Sequence, residues 1–321
     1  MPIDSGVERS DLICLATRPA IASRILNTLN ALEYQALPLP LLVFGGPYSN
    51  LQAVSALQAQ ACARAIPARQ IVCTGDVVAY CADPEATVGL VREWGIHVVQ
   101  GNCEEQLAVA AGDCGCGFEA GTTCDRLSRD WYEFANARLS PDSRRWMGGL
   151  PRTLHLDMAG VRARVVHGGV RQINRFLFAS QHEALAGELA SSGADLVIAG
   201  HCGIPFLRQA GGRAWFNPGV VGMPANDGTP RGWYGVIDVA DAARPGQSLQ
   251  LSVHPLDYDY AVAAAAVRAG GHADAYAEAL VSGRWPSVDV LPAAERDAAG
   301  LPIAGFSTVA SFERTPSGRA A

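Results

Sequence analysis

The sequence lacks the features that would place it in a membrane or on a nucleic acid. No apolar run approaches the roughly 20 residues of a membrane span, and the first residues show neither the basic start nor the apolar core of a signal peptide. Basic residues are not in excess, because 25 Lys and Arg stand against 31 Asp and Glu, for a formal net charge of −6. A nucleic-acid binder needs a basic surface. We therefore expect a cytoplasmic protein with neither a membrane nor a nucleic acid duplex as its partner.

The sequence also lacks an even set of cysteines. It has nine, and an odd number fits reduced thiols or metal ligands better than a complete disulfide framework. The chain of 321 residues is 49% hydrophobic, which is enough for one large α/β domain with appendages.

Four strand-like apolar runs each stop on a side chain that can ligate a metal. The runs occupy residues 70–75, 96–101, 161–166 and 195–200, and the residues that follow them are Asp76, Asn102, His167 and His201. In open α/β sheets the carboxyl ends of strands line the ligand crevice, so these four endings can converge although they are far apart in sequence. One carboxylate, one carboxamide oxygen and two imidazoles suit a divalent cation such as Mn, Fe or Zn.

The order of these four residues resembles that of the calcineurin-like metallophosphoesterases, in particular their small bacterial phosphodiesterase branch. The resemblance extends from about Leu41 to Pro255. It depends on five short motifs, which are Gly75-Asp76, Gly101-Asn102, His167-Gly168, Gly200-His201 and Phe216-Asn217-Pro218-Gly219. The resemblance implies a four-layer α-β-β-α sandwich with a two-metal centre that hydrolyses phosphate esters.

The sequence departs from the family pattern at one of the two metal positions. The family opens with Asp-x-His-Gly-Asn, whereas residues 46–50 read Gly-Pro-Tyr-Ser-Asn, so that both ligands of this motif are missing. The family's Gly-His-x-His motif ends here on Gly203, and a third ligand is missing. The resemblance therefore implies about one divalent cation per chain, held by the other, complete position. Asp76, whose counterpart bridges two metals in the family, would then be a terminal ligand.

The catalytic residues implied by the resemblance are Asp76 and Cys103. Cys103 stands where the family has the histidine of Gly-Asn-His, so a thiol replaces the usual general acid. The thiol could act as a nucleophile, ligate a softer metal or sense redox state, or it could be a small buried residue. Tyr48 occupies a lost ligand position, where it could ligate ferric iron or pack into the vacated volume.

Arg171 and Arg231 are the basic side chains that we expect nearest the crevice. The fork of either guanidinium could hold a phosphate, and a surface arginine is the alternative interpretation of each.

A second group of cysteines lies in a glycine-rich segment. Cys114, Cys116 and Cys124 do not have a standard zinc spacing, but the neighbouring glycines free the backbone to bring the thiols together. We hypothesise that they form a second metal site, completed by Cys103, or a redox-sensitive group. The alternative is that they are small residues in an irregular loop.

The chain alternates strand-like and helix-like segments, as a layered α/β fold requires. Helical patterns are predicted over residues 50–62, 85–94, 261–268 and 273–281. The predicted organisation has three parts: an N-terminal helical extension over 1–38, the metallophosphoesterase-like domain over 39–257 with a Cys-rich insertion at about 111–150, and a C-terminal helical segment with a loose tail over 258–321.

The predicted function is the hydrolysis of a phosphomonoester or phosphodiester, with a phosphorylated small molecule as the partner. Two alternatives stay open at this point. One is a non-hydrolytic phosphate-ligand or metal-binding protein on the same fold, and the other is a different Cys/His metal enzyme. Association of identical chains is also left open by the sequence.

Overall fold

The computed structural model describes residues 34–240, 248–271 and 274–312. Most of the predicted N-terminal extension and the end of the predicted tail lie outside these ranges. Within them, two six-stranded sheets form the centre of the protein. One sheet has the spatial order β1 (Gln35–Ala36), β5 (Leu154–Met158), β6 (Val161–Val165), β7 (Leu196–Ile198), β9 (Arg213–Asn217) and β8 (Phe206–Ala210). The other has the order β12 (Phe306–Ser311), β11 (Ser248–Leu256), β10 (Gly232–Val239), β2 (Leu41–Phe44), β3 (Ile71–Cys73) and β4 (His97–Val98).

Each sheet contains a parallel core with antiparallel strands added at its side. Strands β2, β3 and β4 are parallel to one another, and so are β6, β7 and β9. The helices are α1 (Leu51–Ala63), α2 (Pro84–Trp94), α3 (Asn102–Ala108), α4 (Thr123–Asn136), α5 (Pro141–Gly148), α6 (His182–Ser192), α7 (Tyr260–Gly270), α8 (Asp274–Ser282) and α9 (Ala293–Asp297).

Alternation along the strands creates the layers. In β2, Leu41 and Val43 pack between the two sheets, whereas Leu42 and Phe44 pack against helices on the outer face. Successive side chains of a strand point to opposite faces, so a strand that is apolar at every position is covered on both sides. On the outer face of the other sheet, apolar side chains of α6 cover β7. The predicted α-β-β-α sandwich is confirmed.

The four helices predicted from apolar periodicity correspond to α1, α2, α7 and α8. The prediction of a loose tail was wrong for residues 306–311, which form β12 and pair antiparallel with β11 along six residues. The exposed backbone groups of β11 give this segment its partners, and local sequence does not reveal such an edge. No helix in the described ranges is long and apolar enough to cross a bilayer.

Candidate metal centre

The fold brings together the four side chains that end the strand-like runs. Asp76 follows β3, Asn102 begins α3 after β4, His167 follows β6 and His201 follows β7. The strands β3 and β4 belong to one sheet and β6 and β7 to the other. All four side chains are buried, and His201 is the most exposed at 8%.

The distances among these side chains are those of a ligand cluster. His167 Nε2 lies 3.1 Å from Asn102 Oδ1, 3.0 Å from His201 Nδ1 and 3.2 Å from Asp76 Oδ2. His201 Nδ1 lies 3.9 Å from the same Asp76 oxygen. Within the described part of the chain, Asp76, His167 and His201 are the only group of three or more His, Cys, Asp or Glu side chains close enough to share an ion.

Hydrogen bonds outside the cluster orient its ligand atoms inward. His167 Nδ1 lies 2.6 Å from the carbonyl oxygen of Thr74, so Nδ1 carries a proton and Nε2 is the ring nitrogen that faces the cluster, able to bind an ion once the ring is neutral. Asn102 Nδ2 donates to the carbonyl oxygen of Cys114 over 3.0 Å, which aims Oδ1 at the same point. Two oxygens and two ring nitrogens therefore converge, and a cation could bind all four when neither ring nitrogen carries a proton. The donors fit a divalent metal ion.

The charges in the cluster are strongly coupled. Burial would raise the pKa of Asp76, but His167 and His201 outweigh it and hold this pKa well below the ordinary range. Burial works against a charged His167 ring, yet the adjacent Asp76 carboxylate prevails and raises the pKa of His167. For His201, burial prevails and lowers the pKa. The carboxylate is thus ionised, and His167 is the imidazole that holds a proton more readily.

Glu104 holds the backbone at the cluster, and the sequence interpretation missed it. Its fully buried carboxylate accepts hydrogen bonds from the backbone N–H groups of Asp76 at 2.8 Å, Val77 at 2.8 Å and Gly101 at 2.9 Å. Burial, followed by the charge of Asp76, raises the pKa of Glu104 to about 7. The side chain ties the turn after β3 to the start of α3, and so positions two ligands at once. A Glu three residues after a helix N-cap is half of a capping box, which was the available signal.

The backbone at the site leaves little room for larger side chains. A Cβ on Gly101 would lie 2.3 Å from Asp76 Oδ1, and a Cβ on Gly75 would lie 2.7 Å from the Gly101 nitrogen. Asp76 and His201 themselves have φ angles of 56° and 61°, in the left-handed region that non-glycine residues rarely adopt. Such conformations concentrate at functional sites, where the surrounding structure holds them in place.

The metal position that the resemblance implies to be lost, here called the erased position, is filled rather than empty. Tyr48 is buried, and its ring lies so close to Gly46 that a Cβ there would be 2.4 Å from Tyr48 Cζ. Burial and then Asp76 raise the pKa of Tyr48 well above its ordinary value, so the phenol stays neutral. A neutral phenol packed in this way supports the packing alternative for Tyr48 over a tyrosinate ligand of iron.

The structure does not support Cys103 as a nucleophile or as a ligand of a softer metal. The thiol is buried, and burial with the charges of Asp76 and Glu104 raises its pKa well above the ordinary value. The thiolate is the reactive form, and these surroundings suppress it. Cys103 contributes instead through its backbone N–H group, which donates to Asp76 Oδ1 over 3.3 Å.

The structure brings together two of the three clustered cysteines. Cys114 and Cys116 form a disulfide, and the Cys116 sulfur lies 3.4 Å from Asn102 Nδ2. Cys124 is a free, half-buried thiol beside Ser287. The three sulfurs do not form a group that could share one ion. The prediction of a second metal site was therefore wrong for these three cysteines, because two of them bond to each other. The hypothesis of a redox-sensitive group stays a prediction.

Neither predicted phosphate-binding arginine lines the cavity at the cluster. Arg171 is exposed on the loop after His167. Arg231 donates to the carbonyl oxygen of Ile303 over 2.6 Å and lies over the Trp233 ring. These contacts hold Arg231 in a structural position, which corrects its predicted role.

A cavity of about 80 Å³ opens beside the cluster, with Asp76 and His201 among its lining residues. Most of the remaining lining is apolar or aromatic, and it comes from residues that are far apart in the sequence. Residues 285–287 of the C-terminal region close part of it. The erased position, represented by Tyr48 and Gly203, lies in this lining.

Comparisons with known structures agree with the fold. A metallophosphoesterase from Sphaerobacter thermophilus is 22% identical, with a TM-score of 0.58, and the match covers 77% of this chain and 100% of that one. A hypothetical protein from Pyrococcus horikoshii OT3 is 14% identical, with a TM-score of 0.63, over 78% of this chain and 100% of that one. At these levels of identity the likeness shows a shared fold and gives no information about the substrate.

No curated protein matches the sequence. The family model described as the calcineurin-like phosphoesterase superfamily domain matches residues 52–242, which is more than half of the chain and includes all four residues of the cluster. The chain therefore belongs to the calcineurin-like phosphoesterase superfamily.

Proposed function

We propose that the protein is a phosphoesterase that depends on one divalent cation, Mn, Fe or Zn, and hydrolyses a phosphomonoester or phosphodiester of a small molecule. The observation that carries this proposal is the convergence of four lone-pair donors from Asp76, Asn102, His167 and His201 within a buried cluster. Nitrogen and oxygen donors of this kind suit a borderline divalent ion. The membership in a phosphoesterase family supports the reaction class.

Each residue of the proposed site has a distinct role. Asp76 offers a terminal carboxylate oxygen, and Asn102 and the two imidazoles complete the set. The Thr74 carbonyl fixes the tautomer of His167, and Glu104 holds the loop that presents Asp76. A bound divalent cation would polarise a phosphoryl oxygen and acidify a water molecule. The cavity beside Asp76 and His201 gives the substrate an approach that is partly screened from solvent.

The erased position limits the expected rate. A two-metal site stabilises both the attacking and the leaving oxygen, and one ion cannot do both. We expect the loss to cost several kcal/mol of transition-state stabilisation, or roughly a thousandfold in rate, unless the substrate compensates. The neutral thiol of Cys103 is a poor substitute for an imidazole acid. Generic phosphodiesters should therefore turn over slowly.

A non-hydrolytic protein that binds a metal or a phosphate ligand is the second candidate. The observation that favours it is the pairing of an erased metal position with a neutral, buried thiol at the place of the family's general acid. Binding of an ion without turnover would then be the whole activity.

The two candidates are separated by measuring metal content and turnover on the same preparations. Protein loaded with Mn²⁺, Fe²⁺ or Zn²⁺ is assayed on a panel of phosphomonoesters and phosphodiesters, beside His167→Ala and the matched control His182→Ala. His182 is an exposed histidine at the start of α6. We expect metal and turnover in the wild type and in His182→Ala, and loss of both in His167→Ala. Metal without turnover would replace the proposed function by the second candidate.

A further inference from the structure

The cavity beside the cluster is lined by two groups of aromatic rings. In one group the rings of Tyr48 and Tyr80 lie 4.8 Å apart between centroids, and Tyr80 and Tyr276 lie at the same separation. In the other group Phe118 and Phe176 stack at 5.9 Å. These residues come from distant parts of the sequence, so the cavity is a product of the tertiary fold.

The cavity is joined directly to the metal centre. The ring of Phe176 lies 4.2 Å from that of His201 between centroids, with a tilt of 34°. Trp285 covers part of the cavity and is held by two hydrogen bonds, from its indole N–H to the Pro224 carbonyl at 2.7 Å and from its backbone N–H to Asn226 Oδ1 at 2.8 Å. A group bound in this cavity would therefore lie next to the cluster.

The cavity offers no positive charge to an anionic group. Among its lining residues, all of which the structure describes, there is neither a lysine nor an arginine, and Asp76 is the one carboxylate. Burial raises the pKa values of the Tyr48 and Tyr276 phenols, so both remain neutral. A second phosphate, a carboxylate or a heavily hydroxylated sugar would lose its hydration here without ionic partners to replace it.

We propose that this cavity binds a small, uncharged, apolar or aromatic group, which in the proposed phosphoesterase is the alcohol part of the substrate. The assignment of this group to the substrate rests on the proposed function. Its size follows from the cavity, since about 80 Å³ is roughly half of a 150 Å³ cavity that takes up benzene. A short alkyl chain fits within this volume, and a single ring fills it and extends into the open mouth of the cavity. The opening toward Asp76 and His201 leaves the phosphate of such an ester at the metal centre.

Phenol is a suitable probe, because it has the ring without the phosphate. Its binding is measured by titration calorimetry or ligand-observed NMR, on metal-free and metal-loaded full-length protein. The test variant is Phe118→Ala, which removes a half-buried ring from the cavity wall. The matched control is Phe306→Ala, which removes a half-buried ring from β12, outside the cavity lining. We expect phenol to bind the wild type and Phe306→Ala equally, and Phe118→Ala about five- to tenfold more weakly.

A parallel assay compares phenyl phosphate with glycerol phosphate on metal-loaded protein. We expect phenyl phosphate to be the better substrate in the wild type, and the preference to shrink in Phe118→Ala but not in Phe306→Ala. Phenol binding that depends on Phe118, without turnover of any phosphoester, would support the apolar site and overturn the phosphoesterase. Turnover with no phenol binding and no preference for phenyl phosphate would overturn the apolar site and leave the phosphoesterase standing.

Discussion

The two metal positions that the family resemblance implies have different surroundings in this chain. At the retained position, four ligand atoms converge and are held from behind by the Thr74 carbonyl and the Glu104 carboxylate. At the erased position, two glycines and Tyr48 replace the ligands, and the Tyr48 ring and Trp285 occupy the space around them. The erased position is therefore part of the lining of an aromatic cavity. Because other side chains pack there, we expect that adding ligands alone does not restore an ion.

The cluster requires glycine at positions where a Cβ would collide with it, and Gly101→Ala should cause the largest loss of metal affinity. The new Cβ would lie 2.3 Å from Asp76 Oδ1 and 2.6 Å from the Asp76 nitrogen, so the ligand must move. We expect metal affinity to fall by about a hundredfold, since a displacement of about 1 Å at a reacting site has effects of this order. Titration calorimetry with Mn²⁺ measures it. The control is Gly89→Ala in α2, where a Cβ meets nothing within 4 Å. Equal affinities in the two variants would show that Asp76 does not ligate the ion.

Glu104→Ala tests whether the hydrogen bonds that Glu104 accepts from the backbone at the cluster contribute to metal binding. It removes an acceptor from four buried N–H groups, and we expect metal affinity to fall about 10- to 100-fold and the free energy of unfolding to fall by about 3 kcal/mol. Metal titration and urea denaturation of the metal-free protein measure the two effects. Glu105→Ala is the matched control, because Glu105 forms only a partly exposed ion pair with Arg152, which is worth about 1 kcal/mol or less. A Glu104→Ala variant that binds metal like the wild type would remove Glu104 from the site.

The pH dependence of metal binding should follow His167. In the metal-free protein Asp76 raises the pKa of His167, so this ring keeps its proton to a higher pH than an ordinary histidine. An ion must displace that proton at low pH and has none to displace once the pH exceeds the raised pKa. We therefore expect affinity to rise with pH by up to about tenfold per unit until that point, and then to level off. An affinity that is flat between pH 6 and 7 would contradict the assignment of His167.

Restoring the lost ligands in the erased half should have the smallest effect on metal binding. The triple variant Gly46→Asp, Tyr48→His, Gly203→His places side chains on backbone with φ angles of 43° and 73° at the two glycines, and a Cβ on Gly203 would lie 3.1 Å from Trp285 Cζ2. We expect no second ion and a loss of about 2–4 kcal/mol in the free energy of unfolding, from two strained residues. Elemental analysis and urea denaturation measure this, with Tyr48→His alone as the control. Uptake of a second ion would show that the erased half is still competent.

Local sequence patterns predicted the four-residue cluster because each of its residues follows a recognisable short segment of the chain. Asp76 and His201 each follow an apolar strand, and helices α1 and α2 have clear periodicity. The capping box marks Glu104 only as part of the start of α3, and its contact with the turn after β3 was missed because the N–H group of Asp76 is 28 residues away. Arg231 was misplaced for a related reason, since its partner carbonyl on Ile303 is 72 residues further along the chain.

The aromatic cavity could not be predicted from the sequence at all. Its walls combine side chains from separate loops and helices, among them Tyr48, Phe118 and Trp285. Trp285 lies beyond the residues 52–242 that match the family. Nothing in a local pattern relates a tryptophan at this distance to a lost ligand position. Such long-range packing becomes visible only in the folded chain.

The number of ions bound per chain tests the central claim most directly. Purified protein is saturated with Mn²⁺ or Zn²⁺, freed of excess metal and analysed for elemental content, beside Asp76→Ala and the exposed control Asp257→Ala. One complete set of ligands predicts about one tightly held ion per chain in the wild type and in Asp257→Ala, and almost none in Asp76→Ala. Two tightly held ions that both disappear in Asp76→Ala would show that other side chains have rebuilt the erased position, and would contradict this account.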